Sequence, residues 1–240
     1  MDLSSGQDKV RFVNRMFARI SRRYDLMNTV MTAGMHHKWR RMATNFAFKN
    51  DSGRALDLAS GTGDFAIELA RKEWVSEVVA LDNTLEMLTL ALYKATHKEV
   101  SDKIKLVIGD AHNLPFPDNS FTCLTVGFGV RNFVNLPRAL KEMVRVMKSG
   151  GRVVILEIVK LENRGMLQDM LIPLYFRYMT PVLGMLVAGD REAYTYLPKS
   201  VQQFLKPSEL MEMMSTAGMI NVSYSSLALG TVAIHVGEKD

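Results

Sequence analysis

The 240-residue chain has one cysteine, Cys123. A single thiol excludes an intramolecular disulfide and any cysteine-built metal centre, and it fits a reducing, cytoplasmic setting. Cys123 sits in an apolar run, so a buried structural thiol is expected. No uninterrupted apolar stretch is long enough to span a bilayer. The greasiest region, 166–188, is broken by Asp169, Pro173, Arg177 and Pro181. The start, Met-Asp-Leu-Ser-Ser-Gly-Gln-Asp-Lys, lacks the apolar core of a signal peptide. Repeats, low-complexity tracts and flexible linkers are also missing, which points to one domain over 1–240. Charge of one sign is only mildly in excess, with net charge +5 and pI about 9.3. Such a balance suits a plain basic surface or an anionic membrane. The cluster Lys38, Arg40, Arg41 is too small to argue for nucleic acid. His, Asp and Glu nowhere show metal-ligand spacing, so no metal is expected.

What is present begins with Ala55-Leu-Asp-Leu-Ala-Ser-Gly-Thr-Gly-Asp64. It reads as a buried strand, a glycine-rich turn at Gly61 and Gly63, and then the helix Phe65–Ala70. Glycine lets the backbone turn sharply and lie close to a ligand, and helix N-terminal amides face the same space. Gly61-Thr62-Gly63-Asp-Phe-Ala66 also fits the loose dinucleotide pattern. Two further apolar runs end in acids, Val78–Asp82 and Ile104–Asp110. Asp82 suits ribose hydroxyls, and Asp110 with the Ala111 amide suits an adenine. Asp57, inside the first strand, needs a partner. It can orient the loop or, through water, a cationic amino-acid group. A pyrophosphate gains nothing from a nearby carboxylate, whereas ammonium and sulfonium do. Acids near three successive strand ends therefore favour S-adenosylmethionine, with a dinucleotide as the alternative.

The order of elements supports that placement. Val13, Phe17, Ile20 and Tyr24 share one helical face, and a second helix runs through Trp39 to Phe48. Strands follow near 54–59, 77–82, 104–109, 121–126 and 153–159, with helices between them. Ser149-Gly-Gly151 is expected to stop the helix that carries Leu140, Met143, Val144 and Met147. Residues 160–198 break the rhythm as an inserted helical cap, and 1–50 form an N-terminal helical cover. A helix within 205–219 precedes two short strands, 222–227 and 231–236, that form an antiparallel hairpin. Strand–helix repeats demand a parallel, doubly wound α/β sheet. The closing hairpin fits its Rossmann-like methyltransferase variant.

The chain resembles the C-methyltransferases of ubiquinone and menaquinone biosynthesis. The likeness rests on Tyr24-Asp-Leu-Met-Asn28 through Thr32-Ala-Gly-Met-His36 to Trp39, and on Leu56–Asp64. It continues in Asp110-Ala111, Leu114-Pro-Phe-Pro-Asp118, Phe128-Gly-Val-Arg-Asn132, Arg145-Val-Met-Lys148, Gly150-Gly151 and Glu157. It covers nearly the whole chain. The resemblance implies S-adenosylmethionine held by Thr62, Asp82, Asp110 and Ala111, with Gly61, Gly63 and Asp57 around them. Gly127 stands where many relatives have a serine, so only a backbone contact is expected there. The implied substrate is a prenylated quinol methylated on a ring carbon; the alternatives are another aromatic or lipid acceptor, or a low-turnover cofactor-binding scaffold in a quinone-synthesis complex.

Arg131 is the expected stabiliser of phenolate charge, set against a loop-fixing pairing with a carboxylate. Tyr24 is a candidate to reach substrate, and His36 to act as base, against a surface pair with His37. Asn132 is expected to cap the next turn. Tyr194 and Tyr196 are expected in the cap. The apolar cap suits a polyprenyl tail, a membrane surface at the inner face, or a homodimer contact.

Overall fold

The computed structural model describes residues 6–47, 52–162 and 191–240. Helices α1 (Gly6–Thr32) and α2 (Met35–Ala47) precede the sheet. The sheet then builds from β1 (Gly53–Leu58), α3 (Asp64–Ala70), β2 (Val75–Asp82), α4 (Leu85–His97), β3 (Ile104–Ile108) and β4 (Phe121–Gly127). It continues with α5 (Leu136–Val146), β5 (Met147–Ile158), α6 (Arg191–Gln203), α7 (Pro207–Thr216), β6 (Met219–Leu227) and β7 (Val232–Lys239). The seven strands lie in the order β3-β2-β1-β4-β5-β7-β6. The first five are parallel, and β7 runs antiparallel between β5 and β6. The sheet reverses direction between β1 and β4, which makes their carboxyl ends the natural ligand crevice.

Both faces of the sheet are covered, so its strands are apolar on both sides. Leu56 and Leu58 pack towards α5 and α7, while Ala55 packs towards α2 and α3 with Trp39 and Phe65. Cys123 is buried on that second side, and burial pushes its thiol up to about 12. Many of the methionines fill core, Met27, Met143 and Met147 among them. No described helix is long and apolar enough to cross a membrane.

Local chemistry sets the element ends. Helix α1 stops at a left-handed Ala33-Gly34 pair, where the Gly34 amide reaches back to Thr29 O at 2.9 Å. Asn135, not Asn132, caps α5, accepting from the Arg138 amide at 3.1 Å. Ser149-Gly-Gly151 does not stop that helix. The chain is already extended at Met147, and the glycines form an irregularity inside β5. A Cβ on Gly151 would lie 2.8 Å from Thr122 O, so close strand approach explains this glycine. Most of the cap expected over 160–198 lies outside the described residues, and 191–198 belong to α6.

Gly63 precedes α3 with φ +79°, and a Cβ there would meet the Ala91 Cβ of α4 at 2.8 Å. Gly63→Ala is therefore expected to cost about 2 kcal/mol. A thermal midpoint equal to wild type would show that α3 and α4 do not pack this closely.

Candidate active site

Three neighbouring cavities that share lining residues open at the carboxyl edge of the sheet beneath α1. The largest, about 250 Å³, lies among the ends of β1, β2, β3 and β4, with Val13 and Phe17 of α1 above it. A second, about 70 Å³, lies between α1 and α6 and is mostly apolar. Phe17, Tyr24 and Phe128 wall both. A small polar cavity of about 20 Å³ lies beneath the glycine loop and shares Tyr24 and Gly127. Ala59 and Phe128, beside these spaces, hold left-handed backbone conformations at φ 53° and 59°. Strained non-glycine backbone of this kind collects at functional sites.

The strand-end acids sit where the sequence puts them, in two kinds of surroundings. Asp82 lines the large cavity, accepting from the Gly61 amide at 2.8 Å and the Thr84 amide at 2.9 Å. Burial raises its pKa against those hydrogen bonds. Asp110 and Ala111 line the far end. Although burial opposes it, the Asp110 carboxyl is held below its usual range by the His112 amide and ring. Asp57 is wholly buried beneath, accepting from the Ala66 amide at 3.0 Å and the Thr125 hydroxyl at 2.8 Å. Desolvation pushes it up to about 7. It orients the loop by satisfying an open amide in the first turn of α3.

Not every glycine-loop residue faces the large cavity. Thr62 turns away, donating to Asp25 Oδ1 at 2.6 Å and accepting from Lys94 Nζ at 3.2 Å. Gly63 serves helix packing. A Cβ on Gly127 would lie 2.8 Å from Phe65 Cδ2, so a serine here requires that ring to move.

Sequence reasoning missed the charged network behind the loop. Lys94 of α4 pairs with Asp25 of α1 at 2.7 Å and with Asp64 of α3, and Arg40 of α2 reaches Asp64 at 3.3 Å. Arg40 also lies 5.4 Å over the Phe128 ring. These residues are 15 to 69 apart in sequence, so no local pattern announces them.

His36 belongs to this network and is not part of a surface pair. It is buried, while His37 is exposed. The Thr29 hydroxyl donates to Asp25 O, so its oxygen accepts from His36 Nε2 at 3.1 Å. Nδ1 is then left to accept from Arg40. Burial, then Arg40, pushes the ring down to about 4. With both nitrogens engaged, His36 braces α1 against α2, and it also lines the second cavity. His36, His37 and Asp64 could surround an ion by distance alone. Arg40 and Lys94 already supply the positive charge at Asp64, which disfavours a metal cation there.

Arg131 makes the carboxylate pairing that its sequence context raised, and one of its donors is left over. Its Nη1 donates to Glu157 Oε1 at 2.5 Å and to Phe128 O at 2.5 Å. Arg131 and Glu157 are 7% and 0% exposed. Glu157 also accepts from the Arg131 and Ile158 amides, at 3.3 and 2.8 Å, so it ties the loop to β5. Arg131 Nε, however, is buried with no partner and belongs to a residue lining the second cavity. Asn28 Nδ2, another donor among that cavity's residues, is also unpartnered. Tyr24 and Tyr196 complete the polar end, and the Tyr196 hydroxyl donates to Asn132 Oδ1 at 3.0 Å. The Tyr194 side chain lies outside the described residues.

The sequence profile described as the ubiE/COQ5 methyltransferase family matches residues 4–239. The chain belongs to this family. It is a methyltransferase. A Deinococcus radiodurans relative, "Demethylmenaquinone methyltransferase", is 43% identical over 97% of this chain and 95% of its own. The "Ubiquinone/menaquinone biosynthesis C-methyltransferase UbiE" of Dinoroseobacter shibae is 35% identical over 97% and 92%. A Thermotoga maritima structure, described as an SAM-dependent methyltransferase and possible histamine N-methyltransferase, superposes with TM-score 0.63 at 18% identity. It covers 95% of this chain and 99% of that one. At that identity the superposition speaks for the fold alone, the class I methyltransferase sheet. Within the family, Arg131 and Glu157 fall in two segments that had marked the resemblance from the start.

Proposed function

We propose that the protein transfers a methyl group from S-adenosylmethionine to a ring carbon of a prenylated quinol. Demethylmenaquinol, or the equivalent ubiquinol precursor, is the acceptor that the relatives' names favour. The reading takes 1–240 as one methyltransferase domain, with α1 and α2 as its cover and 160–198 as its cap. The observation that carries it is the pair of unmet donors, Arg131 Nε and Asn28 Nδ2, at the polar end of an apolar cavity. Buried donors without partners call for an oxygen-bearing ligand.

The donor set of the larger cavity fits S-adenosylmethionine. Asp82 has lone pairs left for ribose hydroxyls, and Asp110 with the Ala111 amide suits an adenine edge. Arg40 and Asp64 beside the small cavity match a carboxylate and an ammonium. S-adenosylmethionine supplies an electrophilic methyl group on sulfonium. Ring carbon is a weak nucleophile unless the ring is electron-rich, which requires the reduced quinol. Arg131 stays protonated and, held by Glu157, presents a fixed positive charge to a developing phenolate. Tyr24, at the wall common to all three cavities, keeps acceptor and methyl donor in one line.

The test is labelled S-adenosylmethionine with chemically reduced quinols carrying an isoprenoid tail. Label on a ring carbon is the expected result. Label on oxygen, or cofactor binding with no transfer to any quinol, would replace the acceptor class. Asp82→Ala is expected to weaken S-adenosylmethionine about a hundredfold by calorimetry, since two hydrogen bonds to a charged group are lost. Unchanged affinity would remove Asp82 from the binding site.

A further inference from the structure

Helix α1 has two unlike sides. Its inner side buries Val13, Met16, Ile20 and Met27 and walls the cavities. On its outer side Arg11, Arg15, Arg19 and Arg22, then Leu26 and Val30, follow one another every three or four residues, and all are exposed. Residues at this spacing share one helix face. The stripe is basic for its first turns and apolar for its last. Leu26 and Val30 are 54% and 40% exposed, and Met35 at the head of α2 is 42% exposed. Asp8, one turn before Arg11, is the acid on this face. Asp25 lies to the side, tied to Lys94.

We propose that this outer face of α1 docks the protein on an anionic lipid surface. The basic turns match anionic headgroups, and the apolar turns enter the boundary between headgroup and acyl chain. Both halves of the stripe are then used by one partner. Nucleic acid would match the arginines but leave the apolar turns uncovered. A second copy of the chain, docked antiparallel about a twofold axis, would set the basic turns of one helix against the apolar turns of the other.

Docking here bears directly on the site. Asn28, Met31 and Thr32 line the second cavity from the same turns of α1 that expose Leu26 and Val30. A lipid-dissolved acceptor therefore meets that cavity at the docked end of the helix. This last step rests on the prenylated-acceptor reading above, whereas the docking itself does not.

The experiment is flotation of the full chain, without acceptor, on two kinds of vesicle. One is phosphatidylcholine alone, and the other is equal parts phosphatidylcholine and phosphatidylglycerol. Flotation is expected only with the anionic vesicles, and it weakens as salt rises. A basic residue beside an anionic leaflet is worth about fivefold in partitioning. The triple variant Arg11→Glu, Arg15→Glu, Arg22→Glu is thus expected to lose about a hundredfold. Leu26→Ser with Val30→Ser is expected to lose about tenfold. Both variants should retain wild-type circular dichroism and turnover of a short-tailed quinol in detergent. Three results would overturn the docking: no flotation of wild type, flotation that survives the charge reversals, or self-association that those reversals abolish. Tighter binding to duplex DNA than to anionic vesicles would also overturn it. Flotation as expected with no quinol turnover would leave the docking in place and remove the acceptor reading.

Discussion

Arg131→Ala is expected to lower the rate of methyl transfer at least about a hundredfold, while S-adenosylmethionine affinity stays within a few-fold. The magnitude is that of removing one preorganised donor from a site where negative charge develops. The split between rate and cofactor binding follows from position. Arg131 lines the second cavity and is absent from the walls of the large one. The substitution also strands Glu157, fully buried, without its cation. An uncompensated buried charge costs about 3–5 kcal/mol. Rates therefore have to be taken well below the variant's unfolding range and scaled to the fraction that binds cofactor. Arg131→Ala with Glu157→Gln removes the stranded charge and should recover stability without recovering rate. If the double variant regains turnover, Arg131 acts only as a loop brace.

Asp64→Ala is expected to cost about 3–5 kcal/mol of stability, because it removes the acid shared by Arg40 and Lys94. For a chain of this size such a loss lowers the thermal midpoint by roughly 10 °C. The large effect comes from connectivity. Through Lys94 and Asp25 the same carboxylate fixes α1, and through Arg40 it fixes α2. The variant should also change the pH dependence. Burial opposes ionisation of Asp64, but Arg40 and Lys94 outweigh it and hold the carboxyl below its usual range. A carboxyl depressed in the folded state stabilises above its unfolded value, near ~4, and that stability is lost as pH falls. Wild type should therefore lose this increment on acidification below about pH 4, and Asp64→Ala should lack it. Parallel curves for the two proteins would show that the network contributes nothing.

The sheet was legible because its signals are local. Each parallel strand is a short apolar run, and three of them end in or enclose an acid that the strand ends place in one crevice. The closing hairpin was legible from two runs around Gly230. The start of β5 was not, because a glycine pair is the same signal for a helix stop and for close strand approach, and Gly151 is the second. His36 was misjudged because the polarity of His-His suggested a surface, whereas its helix turns one ring inward and the other out. Thr62 was placed by motif at the glycine loop, where it lines the small cavity, but its bond to a carboxylate 37 residues earlier had no local signal. The Arg131–Glu157 pair spans 26 residues and joins two strand ends. Its members could be singled out in sequence, but only the parallel register of β4 and β5 brings them together.

The position of β7 also bears on how the chain is made. This strand is translated after β6, yet it lies between β5 and β6, and β6 has no other partner in the sheet. Until β7 is in place, β5 presents a bare edge and β6 has nothing in the sheet to pair with. An unpaired strand edge invites pairing with another chain. The folding protein therefore passes through a stage when a chaperone or a second copy of the chain can occupy the slot that β7 will fill.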